Sequence, residues 1–157
     1  MTSVLTMEGE IMNRQLIGIL FAGCLLALLA AVPAQAQLPG VPIRVTIPFD
    51  FNVRGKTLSS GKYEIRRIGD QPDGLLIYNL TNHQHAVFES EPVETSRPPR
   101  RGEVVFHEYG DTYFLAQIWT GGEETGRELI PSRDEKRLER DLADKGGEPV
   151  MVALAIE

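Results

Sequence analysis

The residues best suited to chemistry lie in one short segment, VVFHEYGDTYFLAQIWT, which spans residues 104–120. His107, Glu108 and Asp111 are groups from which a general acid–base pair could be built. Gly110 and Asp111, however, stand between two apolar runs and predict a two-residue hairpin turn. His107 and Glu108 are then neighbours on one strand and point to opposite faces, so they cannot share a site. We therefore predict a hairpin rather than a catalytic cluster.

The turn also sets the expected surroundings of His107. If Gly110 and Asp111 form the loop, His107 lies opposite Phe114 and Val105 lies opposite Ala116. A single histidine among apolar neighbours is typically a core histidine with a satisfied hydrogen bond, and we predict this role for His107. Because both faces of the second strand carry large apolar residues, we expect that strand to be central and covered on both sides.

Other candidate site residues are fewer and more scattered. His83 and His85 in NHQH point the same way on an extended chain, and two imidazoles can start a zinc or copper site. The sequence offers no identifiable third ligand, so we predict no metal and no cofactor. Arg127 lies in TGGEETGRELIPS, which we expect to be an acidic loop from strand to helix. We expect Arg127 to tie that loop down through a carboxylate, with contact to a partner as the alternative.

The motifs of several enzyme classes are absent from the sequence. It contains no G-x-S-x-G, no H-E-x-x-H and no phosphate-binding glycine loop. We therefore predict no enzyme, and a hydrolase that uses His107 or a carboxylate is the alternative. Of the 157 residues, 42% are hydrophobic and 24% are charged, which is typical of one globular domain. The net charge of −6 argues against nucleic acid as a partner.

Residues 1–36 have the pattern of a secretory signal peptide. Arg14 supplies the positive start, and an unbroken run of apolar residues and glycine follows from Leu16 to Val32. Ala34-Gln35-Ala36 is a small-x-small cleavage site. Cleavage there would leave residues 37–157 as a single β-rich domain.

The residues ahead of the apolar run bear on where translation starts. Glu8 and Glu10 place negative charge where a signal peptide needs positive charge, so we expect Met12 to be the true start. Cleavage would remove Cys24, the one cysteine of the chain, and leave a domain without disulfides in an oxidising compartment. The alternatives are an uncleaved anchor and lipidation of Cys24. We predict export, to the periplasm or out of the cell.

Strand patterns begin directly after this segment. Alternating apolar residues in IRVTIPFDFNV, residues 43–53, predict one half-buried strand, and Pro48 within it indicates a sheet edge or a bulge. KYEIRRI, LLIYNL and HAVFES follow as strands between turn signals. SRPPRRG, residues 96–102, is expected to be a solvated connector, with an anion site as the alternative.

A helix and a closing strand complete the predicted domain. Ser132 and Glu135 form a capping box, and Gly146-Gly147 can close the helix in a left-handed cap. Leu138 and Leu142 form its narrow apolar stripe, which lies on the domain or holds a partner.

The apolar run Val150–Ile156 is expected to be a strand buried on both faces, because an exposed edge of this composition would aggregate. The predicted fold is an antiparallel β-sandwich or flattened barrel of about seven or eight strands, with one C-terminal helix followed by a closing strand.

Several motifs, in order, resemble a group of small exported bacterial proteins that are themselves uncharacterised. That group shares an I-P-F-x-F strand, an L-x-x-G-x-Y turn and strand, an F-H-x-Y-G-D-x-Y-F-L hairpin with a following tryptophan, and a G-R-E-L-x-x-S segment. The resemblance implies export and one β-rich domain, and it assigns no functional residue. The matching residues are Ile47, Pro48, Phe49, Phe51, Leu58, Gly61, Tyr63, Phe106, His107, Tyr109, Gly110, Asp111, Tyr113, Phe114, Leu115, Trp119, Gly126, Arg127, Glu128, Leu129 and Ser132.

These observations predict a non-catalytic exported β-domain that is a structural or protein-interaction module of the cell envelope. The expected partner is an envelope protein or a second copy, with membrane contact only through the signal segment if that segment is not cleaved. Pairing by strand addition through Val150–Ile156 is one possible mode. The alternative function is a small barrel that binds an apolar ligand. Its lining would be Phe49, Phe51, Phe106, Phe114 and Trp119.

Overall fold

The computed structural model describes residues 42–157 except residues 70 and 72. The predicted signal peptide, with Met12 and Cys24, lies outside the described residues. No helix in the described part of the chain is long and apolar enough to span a membrane.

The described chain is mainly β, as predicted, with one late helix and a closing strand. It has ten strands rather than about seven or eight. In chain order the elements are β1 (Ile43–Ile47), β2 (Phe51–Val53), β3 (Lys56–Leu58), β4 (Gly61–Arg67), β5 (Gly74–Asn79), β6 (His85–Glu94), β7 (Glu103–Tyr109), β8 (Thr112–Trp119), β9 (Thr125–Leu129), α1 (Arg133–Ala143) and β10 (Val150–Ala155).

All ten strands belong to one sheet. Its order is β1-β4-β5-β6-β9-β8-β2-β3, and β7 pairs with β8 on one side and β10 on the other. β8 pairs with β7, β9 and β2, which confirms the prediction of a central strand. The ends of the sheet approach each other where the Glu157 N–H donates to the Arg44 carbonyl at 2.9 Å. No ladder joins β1 to β10 among the described residues, so the sheet is not a closed barrel.

Pro48 divides the predicted first strand into two. β1 ends at Ile47 and pairs with β4, whereas β2 begins at Phe51 and pairs with β3 and β8. The prediction of one strand across residues 43–53 is therefore wrong, because a proline cannot donate to a ladder and the chain changes partners there. The predicted alternation is kept, since Val45, Ile47, Phe51 and Val53 are all buried.

The β7–β8 hairpin has the predicted register near its turn only. His107 lies opposite Phe114, as predicted. A bulge next to Val105 then shifts the ladder by one residue, so that Val105 lies opposite Gln117 and not opposite Ala116. An inserted residue of this kind increases the local twist and changes which side chains oppose each other.

Buried apolar residues lie on both sides of β7 and β8. The main core contains Phe51, Tyr63 and Phe106, whose rings meet edge to face. A second set is also buried but lies outside this cluster, and we call it the outer layer. It consists of Val105, Tyr109, Phe114, Ala116 and Trp119.

The closing strand differs from its prediction. Among the described residues β10 forms a ladder with β7 only, and its side chains are half-buried or exposed, with Val150 at 58% and Met151 at 53% exposure. The prediction of a strand buried on both faces is therefore wrong. Only Val152, Leu154 and Ile156 pack against the core. β10 is an edge strand whose composition lacks the charges that usually protect an edge.

Helix α1 begins and ends as predicted. The Ser132 side chain accepts a hydrogen bond from the Glu135 N–H at 3.2 Å, which caps the first turn. At the other end Gly146 has a left-handed backbone, and the Gly147 N–H donates to the Leu142 carbonyl at 3.0 Å. TGREL, predicted as part of a loop, is instead strand β9.

Candidate functional site

His107 is paired with the one buried residue of the helix. Its Nδ1 donates to Glu135 Oε1 at 3.0 Å, and Glu135 is only 5% exposed. His107 itself is half-buried and lies outside the main core, so the prediction of a core histidine is corrected to a histidine at the edge of the outer layer. Glu108 has a different partner, the Tyr113 hydroxyl at 3.1 Å. The two neighbours on β7 are thus separated, as the strand geometry predicts.

Tyr109 completes the group around the His107–Glu135 pair. Its ring meets the rings of His107 and Phe114 edge to face, with centroid distances of 6.3 and 5.7 Å. Burial, together with the carboxylates of Glu135 and Glu139, raises the pKa of Tyr109 from 10.0 to about 12. The group therefore contains one buried carboxylate, that of Glu135, beside a phenol, that of Tyr109, which keeps its proton to a higher pH than usual.

The raised pKa of Tyr109 predicts a loss of stability at alkaline pH. The folded protein holds the phenolic proton more tightly than the unfolded chain, so this contribution is complete below pH 10 and disappears as the pH rises towards 12. We expect the free energy of unfolding to fall by about 2 kcal/mol across that window from this group. Urea titrations at each pH, compared between the wild type and Tyr109→Phe, measure it. An equal loss in both proteins would contradict the assignment.

The predicted interaction residues do not form a single exposed surface. Leu138 and Leu142 are both half-buried on α1. The Arg127 side chain is only 13% exposed, and its Nη2 lies 2.7 Å from Asp73 Oδ1. Arg127 is therefore tied to a carboxylate, as the sequence suggested, but from strand β9 and not from a loop. It offers a partner little surface.

The two histidines of NHQH are engaged in the β5–β6 turn. His83 has a left-handed backbone (φ 64°), and its Nδ1 shares a hydrogen bond with the Tyr78 hydroxyl. His85 Nδ1 lies 3.3 Å from the His83 carbonyl. Within the described residues, no three histidine, cysteine or acidic side chains are grouped as a metal ion would require.

The five aromatics proposed to line a ligand cavity do not surround one space. Phe51 and Phe106 are in the main core, and Phe49 packs against both Phe106 and Tyr113, with centroid distances of 5.2 and 4.0 Å. Phe114 and Trp119 belong to the outer layer on the other side of the sheet. The inner rings contact one another, so they fill the interior where they lie.

A groove crosses the outer side of β8, β7 and β10. Its volume is about 470 Å³, and it is open to solvent along much of its length. Strand residues form its floor, and the loop before β7 forms its rim. The lining residues are Thr95, Arg97, Pro99, Glu103, Val105, Gln117, Trp119, Met151 and Ala153.

Trp119 is fixed at one end of this groove. Its Nε1 donates to Gln117 Oε1 at 3.0 Å, and Gln117 in turn donates to Glu128 Oε1 at 2.9 Å. The indole lies directly on Gly126, where a Cβ would stand 2.5 Å from a ring carbon. Gly126 and Trp119, which both belong to the motifs described in the sequence analysis, are thus packed directly against each other. Met151 and Ala153 of β10 line the groove as well.

The rim of the groove is basic and held in place. Residues 97–101 contribute three exposed arginines, and none of them takes part in an ion pair within the described chain. The loop is anchored on the β8–β9 turn, because the Gly122 N–H donates to the Pro99 carbonyl at 2.8 Å and the Thr95 N–H to the Glu124 carbonyl at 2.9 Å. The predicted solvated connector is therefore exposed in its side chains but fixed in its backbone.

No protein-family model, no curated protein and no solved structure matches this chain.

Three features of this region were not identified from the sequence. The sequence predicts only a capping role for Glu135, although its carboxylate pairs with His107. The groove joins strands that are distant in the chain, and no local pattern marks it. The exposure of Val150 and Met151 on β10 was not predicted, because an apolar run of six or so residues looks the same whether one or both faces are covered.

Proposed function

We propose that this protein is an exported, non-catalytic interaction module that binds an extended segment of another polypeptide along the edge of β10 that has no ladder partner among the described residues, at the end that carries Val150 and Met151. The signal pattern of residues 1–36 supports export, to the periplasm or out of the cell, and a role in the cell envelope is part of the same proposal. The observation that carries the proposal is the one-sided pairing of β10, on which Val150 and Met151 remain more than half exposed.

The chemistry of the edge specifies the kind of partner. An unpaired strand presents a row of N–H and C=O groups that only another extended backbone can satisfy in sequence. The run VMVALA contains no charge, proline or glycine that would oppose such pairing. The neighbouring groove at Met151 and Ala153 gives side chains of an added strand an apolar surface to contact.

The polar group at His107 supports a structural role better than a catalytic one. Its Nδ1 is committed to Glu135, which is buried under the helix. The contact joins α1 to β7, and a histidine–carboxylate pair of this kind fixes two elements relative to each other.

Selected peptides test the proposal directly. We expect ten-residue peptides chosen from a random displayed library to bind, and to slow amide hydrogen exchange in Val150–Ala155. Met151→Lys should weaken binding about tenfold, because lysine on an edge opposes strand addition. Leu80→Lys is the matched control, since Leu80 is also exposed but lies in a turn. Its affinity should equal that of the wild type.

Two outcomes would contradict strand addition. One is a library that yields no binder, and the other is a set of binders that protect amides elsewhere and leave β10 unchanged. Removal of the whole of β10 would be a poor substitute for Met151→Lys, because Val152, Leu154 and Ile156 pack against the core and their loss would destabilise the fold.

A further inference from the structure

We infer that the segment that adds to β10 carries an arginine or a lysine at the position beside Val150, and that this cation pairs with the carboxylate of Glu108. The inference rests on the proposed function and adds the chemistry of the partner. Its basis is a row of side chains that ends at Val150, together with a half-buried carboxylate that has no basic partner within the described residues.

Three neighbouring strands place Val150, Glu108 and Tyr113 side by side. Val150 lies opposite Glu108 in the β10–β7 ladder, and Glu108 lies opposite Tyr113 in the β7–β8 ladder. Directly paired residues project from the same face of a sheet. This is the face of the main core, because Val152, two residues further along β10, packs against that core. A residue that pairs with Val150 from an added strand extends the same row.

The Glu108 carboxylate is bonded to a neutral group and not to a cation. Its Oε1 accepts a hydrogen bond from the Tyr113 hydroxyl at 3.1 Å. The pKa of Tyr113 is raised above 10.0, first by this hydrogen bond, then by burial and by the charges of Glu108 and Asp111. In the described part of the chain no lysine, arginine or histidine lies within ion-pair distance of Glu108. A carboxylate in this state can accept charge-assisted hydrogen bonds from an incoming cation.

The segments around this end of the sheet contain acidic residues and no lysine or arginine. This holds for residues 45–53, 103–113 and 146–157. Asp111 lies in the β7–β8 turn, and Glu148 is exposed two residues before Val150. An incoming cation is therefore attracted by these segments, whereas an incoming carboxylate is repelled by them.

Helix α1 does not supply the missing cation. It contacts β7 through Glu135, which is bonded to His107, and His107 points to the face opposite that of its neighbour Glu108. Lys145 lies in the exposed turn that follows the helix, and it takes part in no ion pair within the described chain. The row that ends at Val150 thus has a carboxylate whose counter-charge must come from another molecule.

The spacing of the strands selects a long cationic side chain. Neighbouring strands lie about 4.8 Å apart, so the backbone of a residue paired with Val150 is about 10 Å from that of Glu108. Arginine and lysine bridge such a gap, because their apolar stems lie along an apolar side chain while the charged head reaches a carboxylate. Val150, at 58% exposure, offers that apolar surface. Histidine is too short for this arrangement.

The probes are three blocked nine-residue peptides of alternating threonine and valine, in which the central residue is arginine, glutamine or glutamate. We expect the arginine peptide to bind the purified protein roughly fivefold more tightly than the glutamine peptide, and the glutamate peptide to bind most weakly. Glu108→Gln should abolish the preference for arginine, and its amide oxygen can still accept the Tyr113 hydrogen bond.

The matched control is Glu89→Gln. Glu89 is exposed on β6, so this variant changes the net charge by the same amount as Glu108→Gln but leaves the row at Val150 intact. The whole chain has a net charge of −6, which attracts any basic peptide. The Glu89→Gln protein should keep the full preference for the arginine peptide, and only the difference between the two variants measures the pairing with Glu108.

The outcomes separate the two proposals. If the three peptides bind with equal affinity and still protect the amides of β10, strand addition stands and the basic partner is wrong. A preference that Glu108→Gln retains, or that Glu89→Gln reduces equally, comes from the net charge and overturns the pairing. If none of the three binds, the selected library decides: binders that protect β10 but lack arginine and lysine overturn the inference alone. A library without any binder overturns the proposed function as well.

Discussion

Replacing Phe106 with alanine is expected to lower the free energy of unfolding by about 4 kcal/mol. Phe106 is fully buried at the centre of the main core, where its ring meets those of Phe49 and Phe51 edge to face at 5.2 and 5.4 Å. The substitution removes the transfer free energy of the ring, leaves a cavity, and removes two aromatic contacts. Equilibrium urea unfolding followed by Trp119 fluorescence measures the change.

Two further variants give this measurement its meaning. Phe106→Leu keeps most of the volume and should cost less than half as much, whereas Val87→Ala removes an exposed side chain and should stay within about 0.5 kcal/mol of the wild type. A cost below about 1 kcal/mol for Phe106→Ala would show that the interior is loosely filled at this point. That result would favour the alternative function of binding an apolar ligand in the interior, since a ligand cavity tolerates truncation of its lining.

The fold class was accessible from the sequence because local periodicity survives in the structure. Val45 and Ile47 on β1, and Tyr63 and Ile65 on β4, are buried in the phase that alternation predicts. Ser132 also begins the helix where its capping pattern places it. Each of these signals depends on residues that lie only a few positions apart in the sequence.

Which strands pair with each other was harder to predict, because strand pairing depends on elements that are far apart in the chain. Pro48 indicates a sheet edge or a bulge within one strand, but in the structure it lies where the chain leaves β4 and joins β8. The bulge beside Val105 leaves no sequence pattern, because the apolar residues on both faces of β7 and β8 fit either register. A one-residue shift therefore changed several predicted pairs without changing the hairpin itself.

The candidate site was the least predictable part for the same reason. His107 and Glu135 are 28 residues apart and come together only because α1 packs across β7. The β10 edge was predicted to be covered because covering an apolar strand is the usual solution. Among the described residues β10 instead has a ladder with β7 only, and Glu157 reaches Arg44 of β1 just beyond its end. Exceptions to such general rules are expected at functional positions, and this exception is the basis of the proposed function.

His107→Ala is expected to cost about 3 kcal/mol, because it leaves the Glu135 carboxylate buried without its hydrogen-bond donor. Glu135→Gln should cost about 1 kcal/mol, since an amide can still bond His107 Nδ1 without a charge. The double variant should cost less than the sum of the two single changes, because the second change removes the group that the first left unpaired. Urea unfolding of the four proteins completes the cycle.

A second ion pair on the same helix provides the matched control. Arg137 Nη2 lies 3.3 Å from Asp134 Oδ1, but both side chains are 64% exposed, so Arg137→Ala should cost less than about 0.5 kcal/mol. If the His107 and Glu135 changes were instead additive and as small as this, the pair would not fix α1 to the sheet. A stable His107→Ala protein that also lost a measurable hydrolytic activity would assign His107 to catalysis, and the non-catalytic proposal would then be wrong.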